Sequence, residues 1–354
     1  MTPVLNQKSE LCCDHGMLQS KDSRVPLITS EYQAPFGLRN GHVHTVFPSF
    51  FRRVHHERYQ RERLELPDGD FMDLDWSRIG SQRVALVSHG LEGSSHRQYV
   101  RGMVRALNRR GWDAVALNFR GCSGEPNRLA RFYHSGVSED LGLALSHLHS
   151  CGYTAVAAVG FSLGGNVTLK LVGELGIDVP KWLVAAVGIS VPCDLHAASE
   201  AMASRANRFY MRRFLRDLRR KIVAKQSRFP SLLDDAHYDQ LTTFRDFDDR
   251  YTAPLHGFRN AEDYWDQSGA LRVMPAIRCP ALLLNATDDP FLAPSCFPRE
   301  LAMGHEWLTA EFPQHGGHVG FVGGGATQGE YYSEHRTAQF FEDALRQHSA
   351  RGCR

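Results

Sequence analysis

Ala155-Val156-Ala157-Ala158-Val159-Gly160-Phe161-Ser162-Leu163-Gly164-Gly165-Asn166-Val167-Thr168-Leu169-Lys170-Leu171-Val172-Gly173-Glu174-Leu175 is the stretch on which the fold turns. Its first seven residues form an unbroken apolar run, the pattern of a strand buried on both faces. From about Gly165 to Leu175 the pattern predicts a helix. Between the two, Gly160-Phe161-Ser162-Leu163-Gly164 fits G-x-S-x-G. A serine held at a sharp strand-to-helix turn needs small neighbours on each side, and the turn presents its hydroxyl for attack. The helix N-terminus beneath it offers unpaired N–H groups that favour negative charge. A glycine-rich turn that merely packs is the competing reading. The strand before and the helix after favour Ser162 as a nucleophile.

Working outward, the same alternation recurs. Val84–Ser88, Ala114–Phe119, Leu183–Val191 and Ala281–Asn285 read as further buried strands, and Trp307–Phe312 as the last. Helical periodicity marks Arg97–Arg109 and Ser138–Ser150. Glu62–Leu66 and Phe71–Trp76 flank Pro67-Asp68-Gly69-Asp70 and read as a hairpin. Apolar strands joined by helical crossovers predict an α/β fold with a mostly parallel sheet covered on both faces. Residues 1–31 are polar and unpatterned and read as a loose tail; Tyr32–Arg53 reads as a packed N-terminal extension. Residues 32–196 and 273–354 would then build the core. Residues 197–272 interrupt the alternation and read as a helical insertion capping the sheet's C-terminal edge.

A serine hydroxyl needs a base, and the base needs an orienting carboxylate. After the last strand, Pro313-Gln314-His315-Gly316-Gly317-His318 offers two histidines. His318 is preferred, because the Gly316-Gly317 pair would let it swing over the sheet edge. After Ala281–Asn285 come Asp288 and Asp289. Asp289 is preferred as the acid, with Asp288 shaping the turn. Serine, aspartate and histidine then follow one another in the chain order of a strand-elbow hydrolase. Two N–H groups must hold the developing oxyanion. Leu163, directly after the serine, supplies one. His89-Gly90-Leu91-Glu92-Gly93, closing the strand Val84–Ser88, offers Leu91 for the other, with His89 fixing the loop.

Composition narrows the alternatives. The 354 residues suggest about two domains or one decorated unit. With 42% hydrophobic and 23% charged residues, a sizeable core can form. Forty-one basic against thirty-nine acidic side chains are no footprint of a nucleic-acid binder. The longest apolar run, Trp182–Val191, is about half a membrane span. The first residues lack a secretory signal, so a soluble, cytoplasmic protein is expected. The eight cysteines include no C-x-x-C pair and read as reduced thiols. Cys12, Cys13 and His15 are weighed as metal ligands and set aside as a polar tail. No metal and no cofactor are expected; neither a phosphate-binding nor a dinucleotide loop occurs.

The ordered set Gly41–Arg53, HGLEGSS (His89–Ser95), NFRGCSGEPNR (Asn118–Arg128), YHSG (Tyr133–Gly136), GFSLGGN (Gly160–Asn166), DDPF (Asp288–Phe291) and HGGHVGF (His315–Phe321) resembles the YheT-type branch of the α/β-hydrolases. Eukaryotic members of that branch include membrane-associated phospholipases and acylglycerol lipases. The resemblance runs from about Tyr32 to the C-terminus. It departs at His44, where a glutamine is expected. It implies an α/β-hydrolase fold, carboxylic ester hydrolysis, and a triad falling on Ser162, Asp289 and His318. The expected substrate is a small-molecule ester or lipid with a short to medium acyl chain. A thioesterase or acyltransferase would use the same residues; a binding protein without turnover is disfavoured by the intact Ser–Asp–His set. Arg205–Arg228 interleaves ten basic residues with bulky apolar ones. That pattern reads either as a solvated face neutralised by the acids from Asp234 to Asp249 or as a surface for anionic lipid.

Overall fold

The computed structural model describes residues 27–55, 59–323 and 325–352. Cys12, Cys13 and His15 lie outside them. Among the described residues nine strands form one sheet: β1 Leu27–Ile28, β2 Gln60–Glu65, β3 Phe71–Ser77, β4 Arg83–Ser88, β5 Asp113–Asn118, β6 Ala155–Phe161, β7 Leu183–Ile189, β8 Ala281–Leu284 and β9 Leu308–Glu311. Their order is β1-β9-β8-β7-β6-β4-β5-β3-β2. β3 runs antiparallel to both β2 and β5, and the other pairings are parallel.

The period-two rule explains the two layers. In β4, Val84 and Leu86 face one apolar layer while Ala85 and Val87 face the other. β6 divides likewise into Val156 and Ala158 against Ala157, Val159 and Phe161. The first layer is closed by α3 (Ser138–Ser150) and α4 (Leu163–Leu175), through Leu141, Leu145, Val167 and Leu169. The second is closed by α2 (Gln98–Arg109) and the C-terminal helix Tyr332–Gly352, through Val100, Met103, Leu107 and Phe341. Parallel strands buried on both sides need this cover, which is why their runs are continuously apolar.

Two local readings change. Leu27 and Ile28, inside the stretch read as a loose tail, pair with Ala310 and Glu311 of β9. A two-residue edge strand leaves no periodicity to read. The extension that follows is a helix, α1 (Gly41–Phe51), whose N-terminus is capped by the Asn40 side chain accepting from the N–H groups of His42 and Val43.

Between β7 and β8 the described chain is helices and turns, led by α5 (Leu195–Ala203) and α6 (Arg208–Gln226). α6 buries Tyr210, Met211, Leu215, Leu218 and Ile222, one stripe at spacings of three and four. With Met202, Leu233, Tyr238, Phe247 and Tyr251 this stripe forms a separate apolar cluster that reaches Phe291 and Leu91 at the sheet's edge. The segment packs against Leu91 after β4 and Phe291 after β8, on the side of an α/β sheet that presents its site.

Candidate active site

Ser162 sits between β6 and α4 with φ 52° and ψ −118°, in the left-handed half of backbone space that costs a non-glycine residue of the order of 1–3 kcal/mol. The turn is held by the Ser162 N–H donating to Ile189 O at 2.8 Å and by Asn166 N–H donating back to Ser162 O at 3.0 Å. Backbone passes too close for side chains on either side. A Cβ on Gly160 would stand 2.1 Å from Gly164 O, and one on Gly164 would stand 2.6 Å from His89 O. The spacing of small residues in the motif is therefore a packing requirement. α4 begins at Leu163, two residues before the expected start, so the Leu163 N–H lies in the first helical turn beside the serine.

The two histidines part company. His318 Nδ1 lies 2.8 Å from Asp289 Oδ2, and that carboxylate is fully buried. Asp289 Oδ1 accepts the Phe291 N–H at 2.9 Å, and the Phe291 ring lies 4.2 Å from the His318 ring. His315 Nδ1 lies 3.3 Å from Asp288 Oδ2, while Asp288 Oδ1 accepts the Gly317 N–H. Asp288 thus ties down the loop, and His315 pairs with it away from the serine's cavities.

The reason for preferring His318 changes. Gly317 does not give the loop room to swing: it has φ +56°, and a Cβ there would stand 2.6 Å from Gly41 O and 2.8 Å from Thr45 N. The loop is clamped. Thr45 Oγ1 accepts the His318 N–H at 2.8 Å, Ser190 Oγ accepts the Val319 N–H at 2.8 Å, and His44 Nε2 accepts the Val322 N–H at 3.0 Å. Val319 and Phe321 both have positive φ, a strain these clamps overcome. Burial lowers the His44 pKa to about 4, which keeps its ring neutral as an acceptor. The segment where His44 departs from the resemblance is therefore a support of the histidine loop. Thr45 and Ser190 carry no sequence signal for this role, because each acts across more than a hundred residues.

His89 has no free nitrogen for catalysis. Its Nδ1–H donates to Gly90 O at 2.7 Å and its Nε2 accepts the Phe119 N–H at 3.3 Å. Burial pushes its pKa down to about 3.

Ser162 stands where two cavities meet. One, of about 380 Å³, is shared with His318, Gly90, Leu91 and Tyr210 and rimmed by Arg53, Arg97 and Arg213. The other, of about 140 Å³, runs under the cap and is lined by Leu91, Leu163, Met202, Phe214, Leu218 and Trp265, among others. Leu91 and Leu163 line this cavity with the serine, and a Cβ on Gly90 would stand 3.1 Å from Ser162 Cβ. Among the described residues no group of three or more His, Cys, Asp or Glu side chains is placed to hold a metal ion. No helix among them is long and apolar enough to cross a membrane.

The fold recurs in known proteins. The family model described as alpha/beta hydrolase fold matches residues 86–321. YheT of Escherichia coli (strain K12), a protein whose name assigns it an esterase activity, is 39% identical over 87% of this chain and 92% of its own. Phospholipase ABHD3 of Mus musculus is 28% identical over 84% of this chain and 75% of its own. Monoacylglycerol lipase ABHD2 of Bos taurus is 26% identical over 88% and 79%. Among solved structures, the Pyrococcus furiosus esterase Pf2001 superposes with a TM-score of 0.53 over 82% of this chain and 98% of its own, at 15% identity, a likeness of fold alone. The elbow, the sheet order and the match over residues 86–321 make the chain a member of the α/β-hydrolase fold family.

Proposed function

We propose that this α/β-hydrolase is a serine carboxylic ester hydrolase with Ser162 as nucleophile, His318 as base and Asp289 as the orienting acid. Ser162 Oγ attacks the ester carbonyl while His318 Nε2 takes its proton and later returns it to the departing alcohol. Asp289, held at Nδ1, sets the tautomer that leaves Nε2 free to accept, and stabilises the imidazolium. The N–H groups of Leu91 and Leu163 receive the oxyanion. Water then repeats the sequence on the acyl-enzyme and releases the acid. The observation that carries the reading is Ser162 at a strained elbow, sharing one cavity with a histidine whose other nitrogen is bound to a buried carboxylate.

The two cavities suit the two halves of an ester. The apolar one under the cap accepts a short to medium acyl chain, and the arginine-rimmed one accepts the alcohol side. Phe50, Phe51 and Phe209 are exposed on α1 and α6, and Phe50 and Phe209 line the wider cavity, which favours a lipid-like substrate met at an interface. The relatives named as a phospholipase and a monoacylglycerol lipase support the same class. The described cysteines are free, as suits a reducing cytoplasm.

The test is hydrolysis of a series of p-nitrophenyl esters by the wild type and by Ser162→Ala. Removing the nucleophile should cost roughly 10⁴- to 10⁶-fold in kcat. Purified Ser162→Ala retaining more than a few per cent of activity would refute the assignment.

A further inference from the structure

Beside Leu91, and lining the narrower cavity with it, is a polar cluster of Glu92, Tyr133 and Lys221 that the triad does not use. Its centre is Glu92, whose φ of 54° is a left-handed conformation on a side chain that gains nothing from it locally. Its N–H, its carbonyl and its Oε1 are all held. The Tyr133 hydroxyl accepts the Glu92 N–H at 2.7 Å and donates to Glu92 Oε1 at 2.9 Å. Arg97 donates to Glu92 O at 2.7 Å. Lys221, which belongs to α6 of the cap, places Nζ 2.9 Å from Glu92 Oε1. The same ammonium lies 2.9 Å from Cys122 Sγ and 4.5 Å from the centre of the Tyr133 ring. Side-chain exposures of 17% for Lys221 and 9% for Glu92 make the pair mostly sheltered from water, where losing one partner strands the other.

One turn further along α6, Lys225 makes a different attachment. It donates to Asn127 Oδ1 at 2.9 Å, Ala130 O at 3.0 Å and Arg131 O at 3.3 Å. Both lysines seat the cap on the core segment between β5 and α3. Only Lys221 reaches the turn that includes Leu91. That turn, with Leu91 and Glu92 at its centre, is closed by Gly93 N–H donating to Gly90 O at 2.9 Å.

We propose that Lys221 is a positioning residue which, through Glu92 and Tyr133, aims the Leu91 N–H at the oxyanion, making the seated cap a condition for a complete oxyanion hole. This rests on the Ser162–His318–Asp289 reading. It extends that reading by assigning a role to three residues that line the acyl cavity beside Leu91. Because α6 also carries Phe214 and Leu218 into the acyl cavity, the helix that meets the substrate is the helix that sets the hole.

The experiment compares Lys221→Met, Glu92→Gln, their double variant and Lys225→Met on p-nitrophenyl acetate, a substrate too short to need the cap cavity. Lys221→Met and Glu92→Gln should each lower kcat by about 10- to 100-fold, below the full loss of one oxyanion donor, with KM changed less than about threefold. The double variant should lose no more than the worse single one, because both act through one contact. Affinity for a trifluoromethyl ketone, whose serine adduct carries the oxyanion, should fall in parallel. Lys225→Met should leave kcat within about twofold, even if the cap is less stable. Wild-type kcat in Lys221→Met, additive losses in the double variant, or an equal loss in Lys225→Met would each overturn the proposal. Should Lys221→Met fail to fold, Glu92→Gln decides: kcat within about twofold of wild type overturns it. An active Ser162→Ala would remove the underlying reading; an active Lys221→Met beside an inactive Ser162→Ala removes the positioning role alone.

Discussion

His318 Nδ1 and Asp289 Oδ2 stand 2.8 Å apart across 29 residues of chain, with the carboxylate fully buried beneath the ring. Asp288, the adjacent residue, faces the other way, toward His315 and the Gly317 N–H. Two neighbouring aspartates thus serve two histidines, and only one of these shares a cavity with Ser162. The difference is testable.

Asp289→Asn should leave the fold intact and lower kcat by roughly 10⁴-fold, because an amide at this place favours the wrong imidazole tautomer. Asp288→Asn keeps an acceptor for the Gly317 N–H and should cost far less. Steady-state kinetics on a p-nitrophenyl ester compare the two. The reverse order of effects would move the acid to Asp288.

Asp248 lies within the insertion, on the wall of the narrower cavity, accepting from Thr252 Oγ1 at 2.6 Å and from Trp265 Nε1 at 2.9 Å. Burial raises its pKa from 3.8 to about 7. Between those values the folded chain binds a proton that the unfolded chain has released, so this group's contribution to stability falls as pH rises through that window. Asn satisfies both partners, accepting from Trp265 and donating to Thr252. Thermal midpoints of wild type and Asp248→Asn should therefore diverge in favour of the variant as pH is raised from about 4.5 to 7.5. A gap that does not change with pH contradicts the assignment.

The cationic face of α6 is only partly neutralised. Asp217, within the helix, lies 3.1 to 3.9 Å from Arg213, Arg216 and Arg220, and Asp235 takes Arg219. Of the other acids expected to cover this face, Asp234 binds Arg250, Asp246 caps a short helix, Asp248 meets Thr252 and Trp265, and Asp249 accepts the Ala261 N–H. Arg212 has no ion pair among the described residues. With Phe209 and Val223 exposed on the same helix, a salt-sensitive contact with anionic lipid is expected, at about 1 kcal/mol per engaged Arg. The triple variant Arg212→Glu, Arg216→Glu, Arg219→Glu should sediment less with anionic vesicles and keep its activity on a short soluble ester. Wild-type protein that ignores such vesicles at low salt rules the contact out.

The central strands were legible because burial on both faces writes itself as continuous apolar sequence, and Ser162 was legible because backbone crowding forces glycine at Gly160 and Gly164. Asp289 and His318 follow from their place after β8 and β9, where loops meet the serine. What the sequence hides is support acting over distance. Nothing near Thr45 or Ser190 marks them as acceptors for the histidine loop. A lysine in a basic helix looks solvated until the fold sets Lys221 on Glu92, 129 residues away. The Gly316-Gly317 pair suggests freedom, yet Gly317 is required by close packing and a positive φ. Leu27 and Ile28 are too few to show any period, so only their pairing with β9 reveals them.

Covalent capture of the nucleophile tests the central claim most directly. The folded protein is treated with an active-site fluorophosphonate, then weighed intact, digested and mapped. A serine activated by His318 and Asp289 should take one equivalent, on Ser162, and His318→Ala should suppress the labelling by orders of magnitude. Stoichiometric label on a different residue, or none on Ser162 in protein that hydrolyses esters, would contradict the account.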